Sequence, residues 1–545
     1  MVARERRIKT SEAALIFALL VVFGTLLYPL IVGEGGTAAV QASSGEELSS
    51  LVNTAAPAKS LASAPLPAST EVLLPQLERD VLAIIQEAKE CATKNSNGRV
   101  KSSDITVAVH ARELNSGQIA LRIEDDRALR PASGMKLVTT AAALVLLGSD
   151  WHFETGFDAA GEIREGVLHG NLIVRAGGDP LYAGSDSGVV DGRLDRVAEA
   201  LRLKGVEEIR GNLILDLSSF AEPGPGPEWP APSQYWQEHC ALAAGLTANA
   251  GVLATRVTAT ASGKPATIEV WPAHHGLKSR YSTKTVAEKV NDVRVGATRT
   301  TVTVGGKIGR SIGVVEASFS HPDPIGLFES SFLAALERGG IRFEGEVKQI
   351  RHIAPAPRLF TMRSSLRSTL VPINSDSVNA VADQVFLAAG RAIKGEGSRT
   401  AGGLATAQAL EQLGVPSAGL VQVDGSGLSR ANRVSARQMA ALLAAVLSPS
   451  NPIRQAFKDS LAIAGVSGTL QSRMRGGPAE NRVFAKTGWI SGTSSLSGLA
   501  EAEDGAEWVF SILVEYPASE AGLNKYCFKP MHDAIAERLV AGAGS

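Results

Sequence analysis

Cysteine and histidine, which commonly hold metal ions, are too few and too scattered in this chain of 545 residues to predict a metal site. Cys91, Cys240 and Cys527 lie far apart and show no C-x-x-C spacing, which argues against zinc and thiol redox motifs. The adjacent His274 and His275 cannot face one metal as a helical i, i+4 pair does. We therefore expect neither a metal ion nor a cofactor.

The chain also lacks an excess of charge of either sign. It has 54 Lys and Arg residues against 55 Asp and Glu residues, so no net field attracts nucleic acid. Aromatic residues make up only 5%, whereas 55 glycines and 25 prolines indicate a globular protein with many turns. A chain of this length exceeds one compact core, so we expect roughly two or three domains.

The N-terminus has the pattern of an export signal. Several basic residues precede an uncharged, mostly apolar run at residues 13–33. This run is long enough to span a bilayer, whereas the Val-Gln-Ala stretch at residues 40–42 fits a cleavage site. Residues 1–42 are therefore expected to be either a cleaved signal peptide or an inner-membrane anchor. Both readings place the remaining chain outside the cytoplasm, in the periplasm or cell envelope.

Composition and hydrophobic periodicity divide the rest of the chain. Residues 43–74 are rich in Ser, Ala and Pro and read as a linker. Helical and strand patterns occur over 75–150 and again over 353–545, whereas 151–352 is a succession of short β-rich runs. We expect one helix-and-sheet domain, interrupted by a β-rich insertion that consists of one or two subdomains. The tetrapeptide Gly-Asn-Leu-Ile at 170–173 recurs later in the insertion, which suggests two similar strand-turn units.

Ser133 and Lys136 stand before a segment, residues 137–147, that is apolar on nearly every face and is therefore expected to be buried. Their i, i+3 spacing lets the amine reach the hydroxyl. A buried lysine with a lowered pKa can take the proton of a serine nucleophile, and amides at the helix start face a developing oxyanion. Taken alone, the pattern also fits a helix cap followed by a surface lysine.

Two further short motifs supply groups of the right kind. Ser377 and Asn379 lie two apart in a turn, where a hydroxyl can relay a proton and an amide can bind a substrate peptide bond. Lys486, Thr487 and Gly488 precede a predicted hairpin. On an edge strand, Lys486 can bind a carboxylate and Gly488 can let a substrate backbone lie close. In isolation these motifs would be a helix cap and an exposed strand.

The three motifs occur in the order S-x-x-K, S-x-N and K-T-G, and this combination marks β-lactamases and penicillin-binding proteins. The β-rich insertion lies between the first and second motifs. With the stretches at 177–180, 424–430 and 497–498, this arrangement resembles the low-molecular-mass class C penicillin-binding proteins, the D-alanyl-D-alanine carboxypeptidase/endopeptidase family of the penicillin-binding protein 4 type. The resemblance covers roughly residues 75–540.

The resemblance implies an α+β fold, in which a penicillin-binding/β-lactamase-like domain with an antiparallel sheet flanked by helices carries the insertion. It implies a serine D,D-peptidase that cleaves D-Ala-D-Ala in peptidoglycan stem peptides, and D-Ala-meso-diaminopimelate cross-links, through an acyl-enzyme. β-Lactams would be covalent inhibitors. Ser133 would be the nucleophile and Lys136 its general base, while Ser377, Asn379 and Lys486 would relay protons and hold the substrate.

Four residues would bind the substrate by the same resemblance: Thr487, Gly488, Trp489 and Arg430. Trp489 stands where Ser or Thr is common after K-T-G, so a hydroxyl contact to the terminal carboxylate is lost, although its backbone N–H can still complete the oxyanion hole. Val378 stands where Asp is frequent in the second motif. Arg430 would bind the peptide stem. The alternative interpretation is that Arg430 is a surface arginine beside a Gly-rich turn.

The resemblance also implies a pairing for two of the three cysteines. In this fold the first and last helices lie together over the sheet. Cys91 closes the first helix and Cys527 precedes the last. We therefore expect a disulfide between them in an oxidising compartment, with Cys240 free.

Three alternatives remain. A β-lactamase would share the motifs, but fast deacylation commonly needs a Glu four residues before an Asn between the second and third motifs. Here Asn432, Asn451 and Asn481 are preceded at that distance by Leu428, Leu447 and Gly477. The insertion also argues against a β-lactamase. A silent wall-binding scaffold would keep the fold without activity, although here every motif is intact. An α/β-hydrolase could use Ser311 in the G-x-S-x-G stretch at 309–313, but no helix is predicted to follow it.

Overall fold

The computed structural model describes residues 74–182 and 193–542, so the expected export segment and nearly all of the expected linker lie outside the described residues. No helix within these two stretches is long and apolar enough to cross a membrane. The α-helices are α1 (Pro75–Asn95), α2 (Met135–Leu147), α3 (Arg193–Leu203), α4 (Pro324–Arg338), α5 (Arg367–Asn374), α6 (Asn379–Lys394), α7 (Arg399–Gln412), α8 (Ala436–Val446), α9 (Arg454–Asp459) and α10 (Lys529–Val540).

Strands alternate with these helices along the described chain, and together they form an α+β architecture, as expected. The strands are β1 (Thr106–Glu113), β2 (Ile119–Ile123), β3 (His152–Arg164), β4 (Val167–Arg175), β5 (Glu208–Ile209), β6 (Leu213–Asp216), β7 (Val252–Thr258), β8 (Thr267–Trp271), β9 (Lys278–Tyr281), β10 (Lys284–Val286), β11 (Asn291–Ala297), β12 (Thr301–Gly309), β13 (Val314–Ser320), β14 (Arg342–Phe343), β15 (Val347–Ile350), β16 (Arg358–Ser365), β17 (Ala462–Ile463), β18 (Val483–Ile490), β19 (Thr493–Glu501) and β20 (Glu507–Glu515).

The main sheet joins the two ends of the described chain. Its six strands lie in the order β17-β18-β19-β20-β1-β2, and every neighbouring pair is antiparallel. Strand β1 pairs with β20 over its whole length, from Thr106 opposite Glu515 to Glu113 opposite Trp508. Among the described residues, those between 151 and 352 contribute no strand to this sheet. Residues near 110 and residues near 510 therefore form one structural unit.

Helices cover both faces of the main sheet. On one face, α1 and α10 pack together through a buried core. Helix α1 starts with Pro75 in its first turn and buries an apolar stripe that includes Leu77, Val81 and Ile85. On the other face, a second core contains residues of α2, α5, α6 and α8. This second layer contains the helices that carry the S-x-x-K and S-x-N motifs.

A disulfide ties the first helix to the segment before the last. Cys91 and Cys527 are bonded, with their Cα atoms 5.7 Å apart, and Cys240 is buried and free. This confirms the pairing that the family resemblance implied. Because α1 and α10 share one face of the sheet, two cysteines far apart in the sequence come within bonding distance.

The insertion has a seven-stranded sheet of its own. Its strands run β14-β5-β4-β3-β16, with β6 joining β4 to β15. The first Gly-Asn-Leu-Ile tetrapeptide lies within β4 and the second leads into β6, and Leu172 pairs with Leu213 in parallel. Strand β16 pairs with β3, so this sheet extends past the expected boundary at residue 353 and ends at Ser365. Periodicity predicts a strand but does not tell which sheet it joins.

Two smaller sheets complete the insertion, with the orders β13-β7-β8 and β10-β12-β11, β9 also pairing with β12. Ser311 lies exposed in the short connection between β12 and β13. A nucleophile elbow requires a strand followed by a turn and a helix. The α/β-hydrolase alternative is therefore wrong, because a second strand follows this turn.

Candidate active site

Ser133 lies in a turn that leads directly into a buried helix. The turn is the 3-10 segment Ala132–Gly134, and α2 begins at the next residue. All but two residues of α2 are buried, because the helix packs against α5, α6, α7 and α8. Ser133 itself is half-buried. This position leaves the hydroxyl accessible at the end of a fixed helix.

The amine of Lys136 is surrounded by three oxygen atoms. Lys136 is fully buried, and its Nζ lies 3.0 Å from Ser133 Oγ, 2.6 Å from Asn379 Oδ1 and 2.7 Å from the carbonyl oxygen of Ser426. The amide and peptide oxygens can only accept hydrogen bonds. A neutral amine that donates to both therefore turns its lone pair toward the Ser133 hydroxyl. This is the geometry required of a general base.

Burial supplies the free base at neutral pH. It lowers the pKa of Lys136 to about 7, while the negative charges of Asp383 and Asp424 act in the opposite direction. Burial in a low-dielectric environment disfavours the ammonium form, and nearby carboxylates restore part of its stability. The balance leaves about half of the Lys136 side chains neutral near pH 7.

The two polar residues of the second motif, Ser377 and Asn379, have different surroundings. Asn379 opens α6, and its Nδ2 donates to the carbonyl oxygen of His239, 2.8 Å away, while its Oδ1 faces Lys136. Ser377 precedes the helix with a left-handed backbone, φ 67°, and is half-buried. No described group lies within hydrogen-bonding distance of its hydroxyl in residues 74–182 and 193–542. Of these two residues, Asn379 alone hydrogen-bonds to the Ser133–Lys136 pair within the described residues.

The third motif lies on β18, which borders the Ser133 turn. Lys486 is fully buried, its Nζ donates to the carbonyl oxygen of Thr487 at 2.8 Å, and burial lowers its pKa well below the ordinary value. From Lys486 onward, β18 pairs with β19 on one side, whereas its pairing with β17 ends at Ala485. Within the described structure, this stretch is an open sheet edge beside the Ser133 turn, as expected.

Gly488 lets β18 approach the Ser133 turn closely. A Cβ atom at this position would lie 2.5 Å from the carbonyl oxygen of Pro131 and 2.9 Å from the amide nitrogen of Gly134, too close for real contacts. The sequence predicted a close approach of substrate backbone. The structure adds a second reason for glycine, because the Ser133 turn itself occupies this space.

The remaining predicted residues line the outer end of β18. Thr487 Oγ1 donates to Thr469 Oγ1 at 3.0 Å, and the Trp489 side chain is half exposed, with its Nε1 3.3 Å from the Tyr516 hydroxyl. Arg430 Nη2 donates to the carbonyl oxygen of Ser491 at 2.8 Å. Arg430 is therefore held beside the end of β18 rather than extended into solvent.

Sequence reasoning missed several groups that support the catalytic pair. The carbonyl oxygens of Ser426 and His239 carry no side-chain signal, because any residue type supplies one. Asp383, one helical turn after Asn379, could have been noticed from its i, i+4 spacing. Asp424 holds the Ser426 loop through the amides of Gly427 and Ser429, at 2.9 and 2.8 Å.

Comparison with known proteins shows the family of the chain. Residues 94–534 match the family model of the D-Ala-D-Ala carboxypeptidase 3 (S13) family. The chain is 34% identical over 445 residues to a D-alanyl-D-alanine carboxypeptidase of Actinomadura sp., covering 76% of this chain and 78% of that protein. It is 26% identical over 423 residues to the D-alanyl-D-alanine carboxypeptidase DacB of Haemophilus influenzae, covering 73% of this chain and 83% of the relative.

The fold has a solved counterpart. The crystal structure of penicillin binding protein 4 (dacB) from Haemophilus influenzae superposes with a TM-score of 0.68 at 23% identity, covering 84% of this chain and 98% of that one. The penicillin-binding fold that the motifs predicted is therefore confirmed. With its family model matched over most of its length, the chain belongs to the D-Ala-D-Ala carboxypeptidase 3 (S13) family of serine peptidases.

Proposed function

We propose that this enzyme cleaves the D-Ala-D-Ala ends of peptidoglycan stem peptides with Ser133 as its nucleophile. One observation carries the assignment: a fully buried Lys136 amine lies 3.0 Å from the Ser133 hydroxyl, and its other two partners can only accept hydrogen bonds. This arrangement makes the lysine lone pair available to one hydroxyl alone.

The reaction proceeds by acyl transfer. The Ser133 proton moves to Lys136 as Oγ attacks the carbonyl carbon of the penultimate D-Ala. The peptide C–N bond then breaks, and the terminal D-Ala leaves with a proton on its amine. Water hydrolyses the resulting ester on Ser133. The backbone N–H groups of Ser133 and Trp489 form the oxyanion hole, and Ser377 relays protons between the leaving amine and the site.

Substrate recognition uses the open edge of β18. Burial lowers the pKa of Lys486, and the substrate carboxylate counters this effect by stabilising the ammonium form that binds it. The unpaired edge from Thr487 to Trp489 pairs with the peptide as an added strand. Arg430, held at the end of this edge, binds an anionic group of the peptide stem. If the amine of a neighbouring stem replaces free D-Ala, the same site acts as an endopeptidase on D-Ala-meso-diaminopimelate cross-links.

The enzyme acts outside the cytoplasm. The disulfide between Cys91 and Cys527 supports this location, because such bonds form in oxidising compartments. Residues 1–42 direct the export, and residues 13–33 anchor the enzyme to the inner membrane if the segment is retained. Immunoblotting of membrane and soluble periplasmic fractions distinguishes an anchored chain from a cleaved one.

Covalent labelling by penicillin tests the catalytic assignment. A β-lactam mimics D-Ala-D-Ala, and its opened ring stays attached to the attacking serine. We expect labelled benzylpenicillin to add once per chain, on the peptide that contains Ser133, as measured by mass spectrometry. Ser133→Ala should remove the label from a folded protein, whereas Ser311→Ala, which changes an exposed serine of the insertion, should retain it.

The same experiment separates the alternatives. A β-lactamase would release the label within seconds, and a silent scaffold would never take it up. Turnover of a D-Ala-D-Ala peptide, followed by release of D-Ala, then distinguishes a peptidase from a penicillin-binding protein without activity. A folded protein that is not acylated at Ser133 contradicts the proposal.

A further inference from the structure

A buried carboxylate, Asp383, lies next to the catalytic lysine. Asp383 is on α6, four residues after Asn379, so both side chains project from the same face of the helix. Its Oδ1 accepts a hydrogen bond from the amide of Ser426 at 2.8 Å. Its Oδ2 is buried and has no hydrogen-bond partner within the described residues. Burying a carboxylate oxygen without a hydrogen-bond partner costs free energy of folding, so the position of Asp383 calls for an explanation.

Ser426 connects the carboxylate to the catalytic amine. The N–H of Ser426 donates to Asp383, and the carbonyl oxygen of the same residue accepts from Lys136 at 2.7 Å. A shift of the carboxylate would therefore move the carbonyl that orients the lysine. Asp383 thus acts on Lys136 in two ways, through this main-chain link and through its charge.

Charged groups from several elements surround Asp383 and Lys136. Asp383 is faced by Lys136 from α2, by Asp424 from the loop before α8 and by Arg399 from the start of α7. Burial raises the pKa of Asp383 to about 7, and the Asp424 charge adds to this effect, whereas Arg399 and Lys136 oppose it. Asp383 therefore carries its full negative charge above neutral pH, where Lys136 is the free base.

Lys136 in turn affects two more groups. These are Lys486 on β18, whose charge also interacts with Asp376, and His239 in the insertion, whose pKa is lowered first by burial and then by the Lys136 charge. Of these groups, Asp383 and Asp424 are the ones whose negative charge strengthens the hold of Lys136 on its proton. Both carboxylate oxygens of Asp424 already accept hydrogen bonds from backbone amides of its own loop.

We propose that Asp383 is a positioning residue that orients the Lys136 amine through Ser426 and, by its negative charge, keeps this buried amine a strong enough base to activate Ser133. Burial alone would make Lys136 a weak base that gives little assistance to proton removal. The inference rests on the proposed role of Lys136 as general base.

Asp383→Asn tests the inference, because asparagine keeps the size and the oxygen that accepts from Ser426 while removing the charge. We expect the acid limb of the pH profile for acylation by benzylpenicillin to move down by about one pH unit, since the ammonium form of Lys136 loses a partner. The plateau at high pH should fall, because a weaker base assists less. Asp383→Ser should shift the limb in the same direction. Asp459→Asn, which removes one exposed charge from α9, should leave the profile unchanged.

Three outcomes would overturn the inference. They are an unmoved acid limb in the folded variants, a limb that moves to higher pH, and failure of both variants to fold, which would make Asp383 purely structural. Loss of acylation in the wild-type enzyme is a separate result, because it would remove the proposed function itself.

Discussion

Acylation of Ser133 should depend steeply on pH, because the proposed general base, Lys136, has a shifted pKa. Burial places the pKa of Lys136 at about 7 instead of 10.5. At pH 7 about half of these side chains are neutral, against roughly 0.03% for an unshifted lysine. Below pH 7 the neutral fraction falls tenfold per pH unit. We therefore expect the second-order rate of acylation to be about 100-fold lower at pH 5 than at pH 9.

A stopped-flow measurement with a fluorescent penicillin follows this rate across the pH range. Lys136→Ala should lower the plateau by about two to four orders of magnitude and remove the acid limb, because the group that titrates is gone. Ser133→Ala gives the background. A wild-type rate that stays constant between pH 5 and 9, or an acid limb centred near pH 10, would contradict a buried neutral lysine as the base.

Three further predictions address the surroundings of the site. Gly488→Ala should slow acylation at least about tenfold by displacing the Ser133 turn, whereas Gly296→Ala, where a Cβ meets nothing within 4 Å, should match wild type in the same assay. Reduction of the Cys91–Cys527 bond should lower the free energy of unfolding in urea by about 2 to 5 kcal/mol; an unchanged urea midpoint would refute this. Trp489→Thr should raise kcat/KM about tenfold for peptides with a free terminal carboxylate but not for their amides, and an equal change for both would show that the hydroxyl makes no carboxylate contact.

Local patterns in the sequence predicted the placement of Ser133 and Lys136 well. Ser133 and Lys136 are three residues apart, and the apolar run after them is typical of a buried helix. Contacts at such spacing follow from helix geometry alone. The helix start, the buried amine and the contact between amine and hydroxyl all agree with that expectation.

Local sequence patterns could not predict the long-range contacts. Strand β16 looks like any other half-buried strand, and only its pairing with β3 places it in the sheet of the insertion. The roles of the Ser426 carbonyl oxygen and of Asp383 likewise depend on where α6 and the loop before α8 meet α2. The disulfide could be expected only because the family resemblance brought the first and last helices together.

The sequence by itself determined the order of the three motifs and the buried helix behind Ser133. These features depend on residue type and on spacing over a few residues. Only the tertiary structure decided which oxygens surround Lys136, why Gly488 must be glycine and which carboxylate faces the base. Those contacts join segments hundreds of residues apart, and they arise from the way the helices pack on the main sheet, which no local pattern encodes.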